Sequence, residues 1–451
     1  MDPQLRRVLV AENPWLRGED LLEWIQRFLP TSYIPRRLRL SADHRVVLVV
    51  GPRQAGKSTL IWKTLAEAAE PVLFLNCEEP SIRGWLSSPA AFLADLTELA
   101  VPARTLFFEE VQRLPEAGLF LKGLVDRRTG LRLYATGSSS FDLEAATRES
   151  LAGRAQRHLL LPLSLAEAGA PLPDGPLVRE DAFSRLLERM LVFGGYPTIM
   201  TADDPRQELA TLVEAVVVRD ASDRFRIRHP AALRKLLELA ASQVGNLVNL
   251  SEWATLTNIS NDTVAEYCRL LEETHLIRLV RPFVGGKRAE LTSARKVYFL
   301  DNGIRNQLFG GFQPTTERSD RGALLENLAF AELAKTVNPL LDGLSAWRSK
   351  AGAEMDFVVE HQGRLLACEI KAGDSRASLS RSARSFLDAY KPEQLLVVNR
   401  RPYPEMAVGA SRVRFLQIEE LSTAVEGFLA ADRVPPAVDL SEAYPPPEDA
   451  E

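Results

Sequence analysis

The fold is decided by the stretch VVLVVGPRQAGKST, residues 46–59. A run of apolar residues ends at Gly51, and the loop that follows closes on Gly56, Lys57 and Ser58 before a helical pattern begins. The spacing G-x-x-x-x-G-K-S-T between a strand and a helix is typical of a phosphate-binding loop. Backbone N–H groups of such a loop surround phosphate oxygens, and glycine lets the backbone approach them. The stretch therefore predicts a nucleotide-binding α/β domain.

The loop also predicts its ligands, which are ATP and Mg²⁺. Lys57 is expected to reach the β and γ phosphates, and the Ser58 hydroxyl is expected to hold Mg²⁺. The helix that starts near Lys57 adds the positive end of its dipole to the anion site. The predicted ATP-binding residues are Gly51, Pro52, Arg53, Gln54, Ala55, Gly56, Lys57, Ser58 and Thr59.

Two further apolar runs end in polar residues that fit ATP hydrolysis. The run TLFFEEVQRLP, residues 105–115, predicts a strand whose Glu109 holds Mg²⁺ through water and whose Glu110 deprotonates the attacking water. The usual pair is Asp-Glu, so Glu109 departs from it. The run LRLYATGSSSF, residues 131–141, predicts a strand tip at which Ser138 senses the γ phosphate, with Thr136 behind it.

Composition sets limits on the partners and the compartment. The chain has 451 residues, which suggests two to four domains, and a net charge of −5, so nucleic acid could be bound only through local basic patches. Cys77, Cys268 and Cys368 are widely spaced and indicate neither disulfides nor a zinc site. No apolar run approaches the roughly 20 residues that span a bilayer. We expect a cytoplasmic protein without a membrane anchor.

The middle of the chain predicts helices and then a winged helix. Helical periodicity dominates residues 183–243, and residues 247–282 read as helix, turn, helix and strand, with Ser260 capping the second helix. That helix carries Glu266, Glu272 and Glu273 but only Arg269 as a base, which disfavours DNA reading by the helix. Contact between the wing and DNA phosphates remains an open possibility, because basic residues lie on or beyond the wing. These bases are Lys287, Arg288, Arg295 and Lys296.

A second set of chemical residues lies near the C-terminus. The stretch EMDFVVEHQGRLLACEIKA, residues 354–372, predicts two strands joined by the two-residue turn Gln362-Gly363, which places Asp356 opposite Glu369 and Glu354 opposite Lys371. Opposed carboxylates repel each other unless a cation lies between them. The predicted metal ligands here are Glu326, on a preceding helix, Asp356 and Glu369, with Lys371 stabilising charge during phosphodiester cleavage. A solvated hairpin face that holds nothing is the alternative. Core positions are predicted on the other face at Met355, Phe357, Val359, Leu366, Cys368 and Ile370.

Several motifs in the same order resemble bacterial and archaeal AAA-type ATPases that carry a C-terminal domain of uncharacterised function. They are GPRQAGKST, FFEEVQRLP, ATGSSS, LAGRAQRHLLLPLSLAEAG, FGGYPT, VVVRD, KVYFLDNGIR, GALLENLAFAEL, WRSKAGAEMDFVVE and CEIKAG. The pattern D…E-x-K with a preceding helical acid resembles restriction-endonuclease-like nucleases, matched by Glu326, Asp356, Glu369 and Lys371. The AAA resemblance implies a homo-oligomer, such as a hexamer, in which a neighbouring subunit supplies an arginine. Candidates for it are Arg127, Arg128 and Arg154.

The sequence thus predicts an α/β protein of three modules. They are an AAA-type ATPase with a parallel sheet and a leading helix at 1–180, a helical lid and winged helix at 181–310, and a restriction-endonuclease-like domain at 311–432, before a disordered tail at 433–451. We expect ATP hydrolysis that acts on branched or duplex DNA. Lys57, Glu110, Glu369 and Lys371 are the predicted catalytic residues, although the end domain could grip DNA without cutting it. A nucleotide-switched signalling or defence module that acts on a protein partner is the alternative.

Overall fold

In the computed structural model, the phosphate-loop strand lies inside a five-stranded parallel sheet. The structure describes residues 2–68, 70–98, 103–137, 151–173, 175–215, 227–286, 295–339, 341–373 and 378–431. The five strands are β1 (Val46–Val50), β2 (Val72–Asn76), β3 (Thr105–Glu109), β4 (Arg132–Gly137) and β5 (Ala155–Leu159). Their spatial order is β2-β3-β4-β1-β5. Every β1 residue is buried, as expected of a strand with both faces covered. The predicted α/β class is confirmed.

Helices cover both faces of this sheet, and because its strands are parallel, their carboxyl ends lie at one edge. The helices of this part are α1 (Pro3–Glu12), α2 (Leu21–Phe28), α3 (Lys57–Ala68), α4 (Pro80–Trp85), α5 (Pro89–Glu98), α6 (Ala117–Asp126) and α7 (Leu165–Gly169). One face buries Trp62 and Phe107, and the other buries Phe92 and Phe108. The loop of residues 51–56 leaves β1 at the carboxyl edge, where ligands of parallel sheets bind.

The leading segment packs on the ATPase sheet, as predicted, but it is not one helix. A 3₁₀ turn at Pro14–Arg17 and Gly18, whose φ of 97° is left-handed, separate α1 from α2. Trp15 lies in that turn, where its ring centroid is 5.0 Å from that of Trp24, and its indole Nε1 donates to the Val72 carbonyl at 2.8 Å. Trp24 in turn contacts Trp62 of α3 with ring centroids 5.1 Å apart.

The middle of the chain is mainly helical and contains the predicted helix–turn–helix. Its helices are α8 (Pro176–Phe193), α9 (Pro197–Thr201), α10 (Pro205–Glu214), α11 (Pro230–Ser242), α12 (Leu250–Thr257), α13 (Asn261–Glu273) and α14 (Asn302–Leu308). Ser260 caps α13 through the Thr263 N–H at 3.1 Å, as predicted. Strands β6 (Leu247–Val248), β7 (Ile277–Val280) and β8 (Arg295–Phe299) form an antiparallel sheet in the order β6-β8-β7.

The C-terminal part contains a six-stranded mixed sheet. Its strands are β9 (Gly343–Arg348), β10 (Glu354–His361), β11 (Arg364–Ile370), β12 (Gln394–Val398), β13 (Tyr403–Val408) and β14 (Ser411–Leu416). Their spatial order is β13-β14-β12-β11-β10-β9. The helices of this part are α15 (Arg321–Thr336), α16 (Arg381–Tyr390) and α17 (Leu421–Ala430). The predicted hairpin register is confirmed, since Phe357 pairs with Cys368 and His361 with Arg364. The turn residues Gln362 and Gly363 have φ of 47° and 77°, as a two-residue hairpin turn requires.

The predicted apolar face of this hairpin is wrong at one position. Met355 packs with Val358 in one hydrophobic cluster, whereas Phe357 and Val359 belong to a cluster on the other side of the sheet. The cause is a shift in the pairing of β10 with β9 between Met355 and Val358, which breaks the strict alternation of a strand.

The middle and C-terminal sheets are joined by backbone pairing. The chain that leaves β7 runs beside β9, so that the Phe283 N–H donates to the Ala346 carbonyl at 2.7 Å and the Ala346 N–H donates to the Arg281 carbonyl at 3.1 Å. This pairing fixes β7, and with it the neighbouring strand β8, against the C-terminal sheet.

Some predicted features lie outside the described residues. These are Ser138, Lys287, Arg288, the VVVRD motif at 216–220 and the acidic tail. Among the helices that the structure describes, none combines the length and the apolar character needed to cross a membrane.

Trp62→Ala tests the packing of the leading segment on the sheet. Because Trp62 is 0% exposed and contacts Trp15, Trp24 and Phe74, we expect its truncation to lower the free energy of unfolding by about 3–5 kcal/mol. Leu119→Ala is the control, since Leu119 is 53% exposed and its loss should change stability by less than about 0.5 kcal/mol. Urea unfolding followed by far-ultraviolet circular dichroism measures both variants. Equal losses would contradict the packing described.

Candidate functional site

The phosphate loop is shaped by two glycines that cannot carry a side chain. Gly51 has a φ of 150°, and a Cβ there would lie 2.1 Å from the Leu160 carbonyl oxygen. Gly56 has a φ of 89°, a left-handed conformation that strains other residues. The loop is therefore pressed against the residue that follows β5, which holds its backbone in place at the sheet edge.

Lys57 lies at the centre of the loop. Its side chain is buried, and its ammonium donates to the carbonyls of Gly51 at 3.1 Å and Pro52 at 2.8 Å. These contacts keep the ammonium over the loop that would surround the phosphates. The predicted contact of Lys57 with the β and γ phosphates stays a prediction.

Ser58 and Glu109 are brought together, as a magnesium site requires. The Ser58 hydroxyl donates to Glu109 Oε1. Burial raises the pKa of the Glu109 carboxyl, while the Ser58 hydrogen bond opposes that shift. A hydroxyl oxygen and a carboxylate oxygen in contact are the donors that Mg²⁺ prefers, so these residues fit the ion.

Glu110 lies directly beyond the strand end in a left-handed conformation, with a φ of 52°. Its N–H donates to the hydroxyl of Thr136 at 3.1 Å, and its Oε2 accepts from Gln112 Nε2 at 2.5 Å. Thr136 is fully buried on the neighbouring strand β4. The backbone of the predicted base is therefore tied to the adjacent strand, whereas Thr136 was expected only to lie behind the γ-phosphate sensor.

The middle helices contact the loop through the FGGYPT motif, a contact that sequence reasoning missed. The Thr198 hydroxyl donates to Gln54 Oε1 at 3.3 Å. Just before it, the Gly195 N–H donates to Asp301 Oδ2 at 2.7 Å, and the Ile304 N–H donates to Asp301 Oδ1 at 3.1 Å. Burial raises the pKa of Asp301 to about 6, against these hydrogen bonds. The signal available in the sequence was the pair Gly194-Gly195, because the backbone of a tight glycine turn needs a hydrogen-bond partner that holds it in place.

Two of the three candidate arginines for a neighbouring site, Arg127 and Arg154, have partners within their own chain. Arg154 forms an ion pair with Asp126 at 2.5 Å between Nε and Oδ1, and Arg127 donates to the Gly123 carbonyl at 2.6 Å. Neither contact tests a role in an oligomer, so the arginine from a second subunit stays a prediction.

The C-terminal acids have an unexpected partner, Lys296 of β8. Its ammonium lies 3.0 Å from Glu326 Oε1 and 3.8 Å from Glu354 Oε2. The Tyr298 hydroxyl also donates to Glu326 Oε1, at 2.6 Å. Lys296 is only 5% exposed and is paired with acids of α15 and β10, so it is not available for the phosphate contact that the sequence left open for it.

Asp356 lies on β10, Glu369 lies on β11 and Lys371 directly follows β11, and their side chains have different partners. Asp356 Oδ2 accepts the Ile370 N–H at 2.7 Å, and Lys371 Nζ lies 2.5 Å from Glu369 Oε1. Burial raises the pKa of Asp356, and the nearby Glu326 carboxylate adds to the shift. Glu354, expected opposite Lys371, instead forms an ion pair with Arg348 at 2.9 Å.

Among the described residues, no three acidic, histidine or cysteine side chains come close enough to hold one metal ion together. The predicted set of Glu326, Asp356 and Glu369 is therefore not assembled as a three-carboxylate site. Glu369 Oε2 is buried without a hydrogen-bond partner in the described part of the chain, so one acceptor stays available on the hairpin.

Three family models match the chain in succession. An AAA domain matches residues 43–169, a domain of unknown function, DUF8612, matches 184–315, and another, DUF4143, matches 321–415. The solved structure of the Thermotoga maritima RuvB Holliday junction branch migration motor is similar at 17% identity, over 62% of this chain and 90% of that one, with a TM-score of 0.26. A score this low supports no conclusion about function.

Relatives in other organisms cover most of the chain. An uncharacterised protein of Haemophilus influenzae is 24% identical over 75% of this chain and 85% of its own length. An uncharacterised protein of Mycobacterium tuberculosis is 30% identical over 371 residues, which are 80% of this chain and 78% of the relative. The chain belongs to the same family as this mycobacterial protein, and it carries an AAA domain at residues 43–169.

Proposed function

We propose that the chain is an ATP hydrolase that works at residues 51–59. The observation that carries the proposal is the contact of Ser58 with Glu109 at the end of the loop that Lys57 closes. The match of residues 43–169 to an AAA domain supports it. A shaped anion loop, a hydroxyl–carboxylate pair and a second carboxylate at one sheet edge together are suited to phosphoryl transfer to water.

Each side chain has a separate task in this reaction. Lys57 binds the β and γ phosphates and balances their charge, and the loop N–H groups orient the chain of phosphates. Mg²⁺ held by Ser58, and by Glu109 through water, would neutralise the charge that develops on the phosphate oxygens. Glu110 accepts the proton of the attacking water, and Thr136 positions Glu110 through its backbone N–H. A neighbouring subunit completes the site with an arginine, as in other AAA-type ATPases.

We also propose that ATP hydrolysis acts on DNA. The helix–turn–helix of α12 and α13 and the order of helix and hairpin in the C-terminal domain support this proposal. Because Asp262 and Glu266 are exposed on α13, DNA is expected to contact the basic side chains near β7 and β8, such as Arg278, Arg281 and Arg295, rather than that helix. The pairing of Lys296 with Glu326 favours an end domain that grips DNA over one that cuts it.

A second candidate is a nucleotide-controlled switch that acts on a protein partner. The exposed acids of α13 favour it, since an acidic helix suits a basic protein surface better than a phosphate backbone. The contact of Thr198 with Gln54 would let the middle helices respond to the nucleotide in either case.

Lys57→Ala and Glu110→Gln separate ATP binding from hydrolysis. Lys57→Ala should lose ATP affinity, because it lacks the ammonium that binds the phosphates. Glu110→Gln should bind ATP but hydrolyse it about 10²–10⁴-fold more slowly, which is the usual contribution of a general base to the rate. Lys63→Ala is the control and should keep both ATP binding and turnover, because the Lys63 side chain lies on the same helix and is 42% exposed. Equilibrium binding of a fluorescent ATP analogue and phosphate release measure the two steps. Wild-type turnover in both variants would remove the proposed site.

ATP turnover with single-stranded, duplex and four-way DNA separates the two candidates. A motor on DNA should hydrolyse ATP faster with at least one of these substrates, and the stimulation should decline with salt, because phosphate contacts release counterions. Glu110→Gln measures the coupling independently, since its trapped ATP state should bind DNA with an affinity different from that of Lys57→Ala. Turnover that no DNA changes would favour the switch.

A further inference from the structure

The turn of residues 194–198 lies against the phosphate loop. Thr198 donates a hydrogen bond to the Gln54 side chain, and Gln54 has a left-handed φ of 59°, which is unfavourable for a residue that carries a side chain. Beside it, a Cβ built on Gly56 would lie 3.8 Å from Pro197 Cγ, so the proline ring covers the end of the loop. Two successive residues of the turn therefore meet backbone that is expected to surround phosphate oxygens.

The start of the loop is held by a segment that also contacts this turn. Leu160 follows β5, and its N–H donates to the Val50 carbonyl at 2.8 Å, while its own carbonyl oxygen lies against Gly51. Further along the same segment, the Leu163 N–H donates to the Gly195 carbonyl at 2.7 Å. The turn and this segment are thus joined to each other, and together they hold the loop at both of its ends.

Asp301 fixes the turn from the middle part of the chain. Its carboxylate is buried and accepts the Gly195 N–H at 2.7 Å and the Ile304 N–H at 3.1 Å, so it joins the turn to the first residues of α14. A Cβ on Gly194 would lie 2.0 Å from Asp301 Oδ1, which shows how closely the turn approaches the carboxylate. Hydrogen bonds to an ionised acceptor are about twice as strong as neutral ones, so this contact holds the turn firmly.

We propose that Asp301 is a positioning residue for nucleotide binding, which holds the 194–198 turn and thereby keeps the phosphate loop in the shape that fits the α and β phosphates. Asp301 acts through Gly195, Pro197 and Thr198 rather than by contact with the nucleotide. A loop that already has its bound shape loses less conformational freedom when the phosphates bind, so the affinity is higher. The inference rests on the proposed ATP site and deepens it by adding a residue of the middle part to that site.

The α and β phosphates occur in both ATP and ADP, so both nucleotides should depend on Asp301 to the same extent. This expectation distinguishes Asp301 from Glu110, whose proposed task concerns the attacking water and the γ phosphate. An effect on ATP alone would therefore contradict the inference.

Asp301→Asn tests the inference at pH 8, where the Asp301 carboxyl, with its pKa raised by burial to about 6, is ionised. The amide replaces one acceptor oxygen by a donor, so one of the two N–H groups loses its partner. We expect the KM for ATP and the Kd for ADP both to rise about tenfold, with kcat within about twofold of the wild type, because Glu109 and Glu110 keep their contacts. Steady-state phosphate release and calorimetric titration with ADP measure these constants.

Thr198→Val and Asp204→Asn complete the comparison. Thr198→Val keeps the shape of the side chain but cannot donate to Gln54, so the KM and the Kd should rise about threefold, and Thr198→Ser should restore them. Asp204→Asn is the matched control, because Asp204 caps α10 of the middle part and accepts N–H groups near the start of that helix, those of Arg206 and Gln207. It should leave both constants unchanged.

A purely structural role of Asp301 would give a different result. Destabilised Asp301→Asn protein would contain fewer active molecules, which lowers kcat per chain and the melting temperature but leaves the KM and the ADP Kd unchanged, and this outcome would overturn the inference. If Asp301→Asn does not fold, unchanged ADP binding by Thr198→Val overturns it instead, since Thr198 is exposed and its change spares the buried contacts. A wild-type chain that binds neither ATP nor ADP would remove the proposed ATP site as well, which separates the two failures.

Discussion

A carboxylate removed from water must be given a partner, and this constraint organises both sites. Three acids of the chain are partly or fully buried, and each accepts hydrogen bonds from residues that are distant in sequence. Glu109 accepts from Ser58, Asp301 accepts backbone N–H groups of Gly195 and Ile304, and Glu326 accepts from Lys296 and Tyr298. Since an unpaired buried charge is strongly unfavourable, these pairs fix the elements that carry them.

The Asp301 contacts and further polar pairs form a physical connection between the two sites. The loop touches Thr198, and the turn before Thr198 is held by Asp301 at the start of α14. On α14, Arg305 forms an ion pair with Asp320 at 2.5 Å, directly before α15, which carries Glu326. A change in the loop on nucleotide binding would thus meet packed, hydrogen-bonded neighbours along the whole route. Whether such a route transmits energy depends on a second stable arrangement, which coupling measurements would reveal.

The sequence predicted those features that local rules determine. The phosphate loop and its strand follow from glycine spacing and an apolar run. The hairpin register follows from a two-residue turn, because such a turn allows only one pairing of the two strands. The Ser260 cap was also predictable from the residues next to it. The prediction failed where a residue or strand that is distant in sequence determines the local structure. Met355 changes sides because β9, a strand that was not predicted, pairs irregularly with β10. The strands β13 and β14 were also missed, since Pro402 and Pro404 and the charges that follow hide their alternation.

Lys296 shows this limit most clearly. In sequence, Lys296 follows Arg295 and other basic residues, a pattern typical of an exposed wing. No local feature distinguishes the buried Lys296 from the exposed Arg295. The difference comes from acids that are 30 residues or more away in sequence and that approach only when the two sheets join. The same contacts explain why the restriction-endonuclease-like pattern of acids and lysine can be present in sequence without forming a three-carboxylate group among the described residues.

The most direct measurement is an anomalous difference map of crystals grown with Mn²⁺ and a non-hydrolysable ATP analogue. The central claim is that the working metal site of the chain is the one at the phosphate loop, while the C-terminal acids are held by Lys296. We expect a manganese peak beside Ser58 and Glu109, with Lys296 in contact with Glu326 and no peak there. A manganese peak among Glu326, Asp356 and Glu369 with Lys296 displaced, or a phosphate loop with ATP but no metal at Ser58, would contradict that claim.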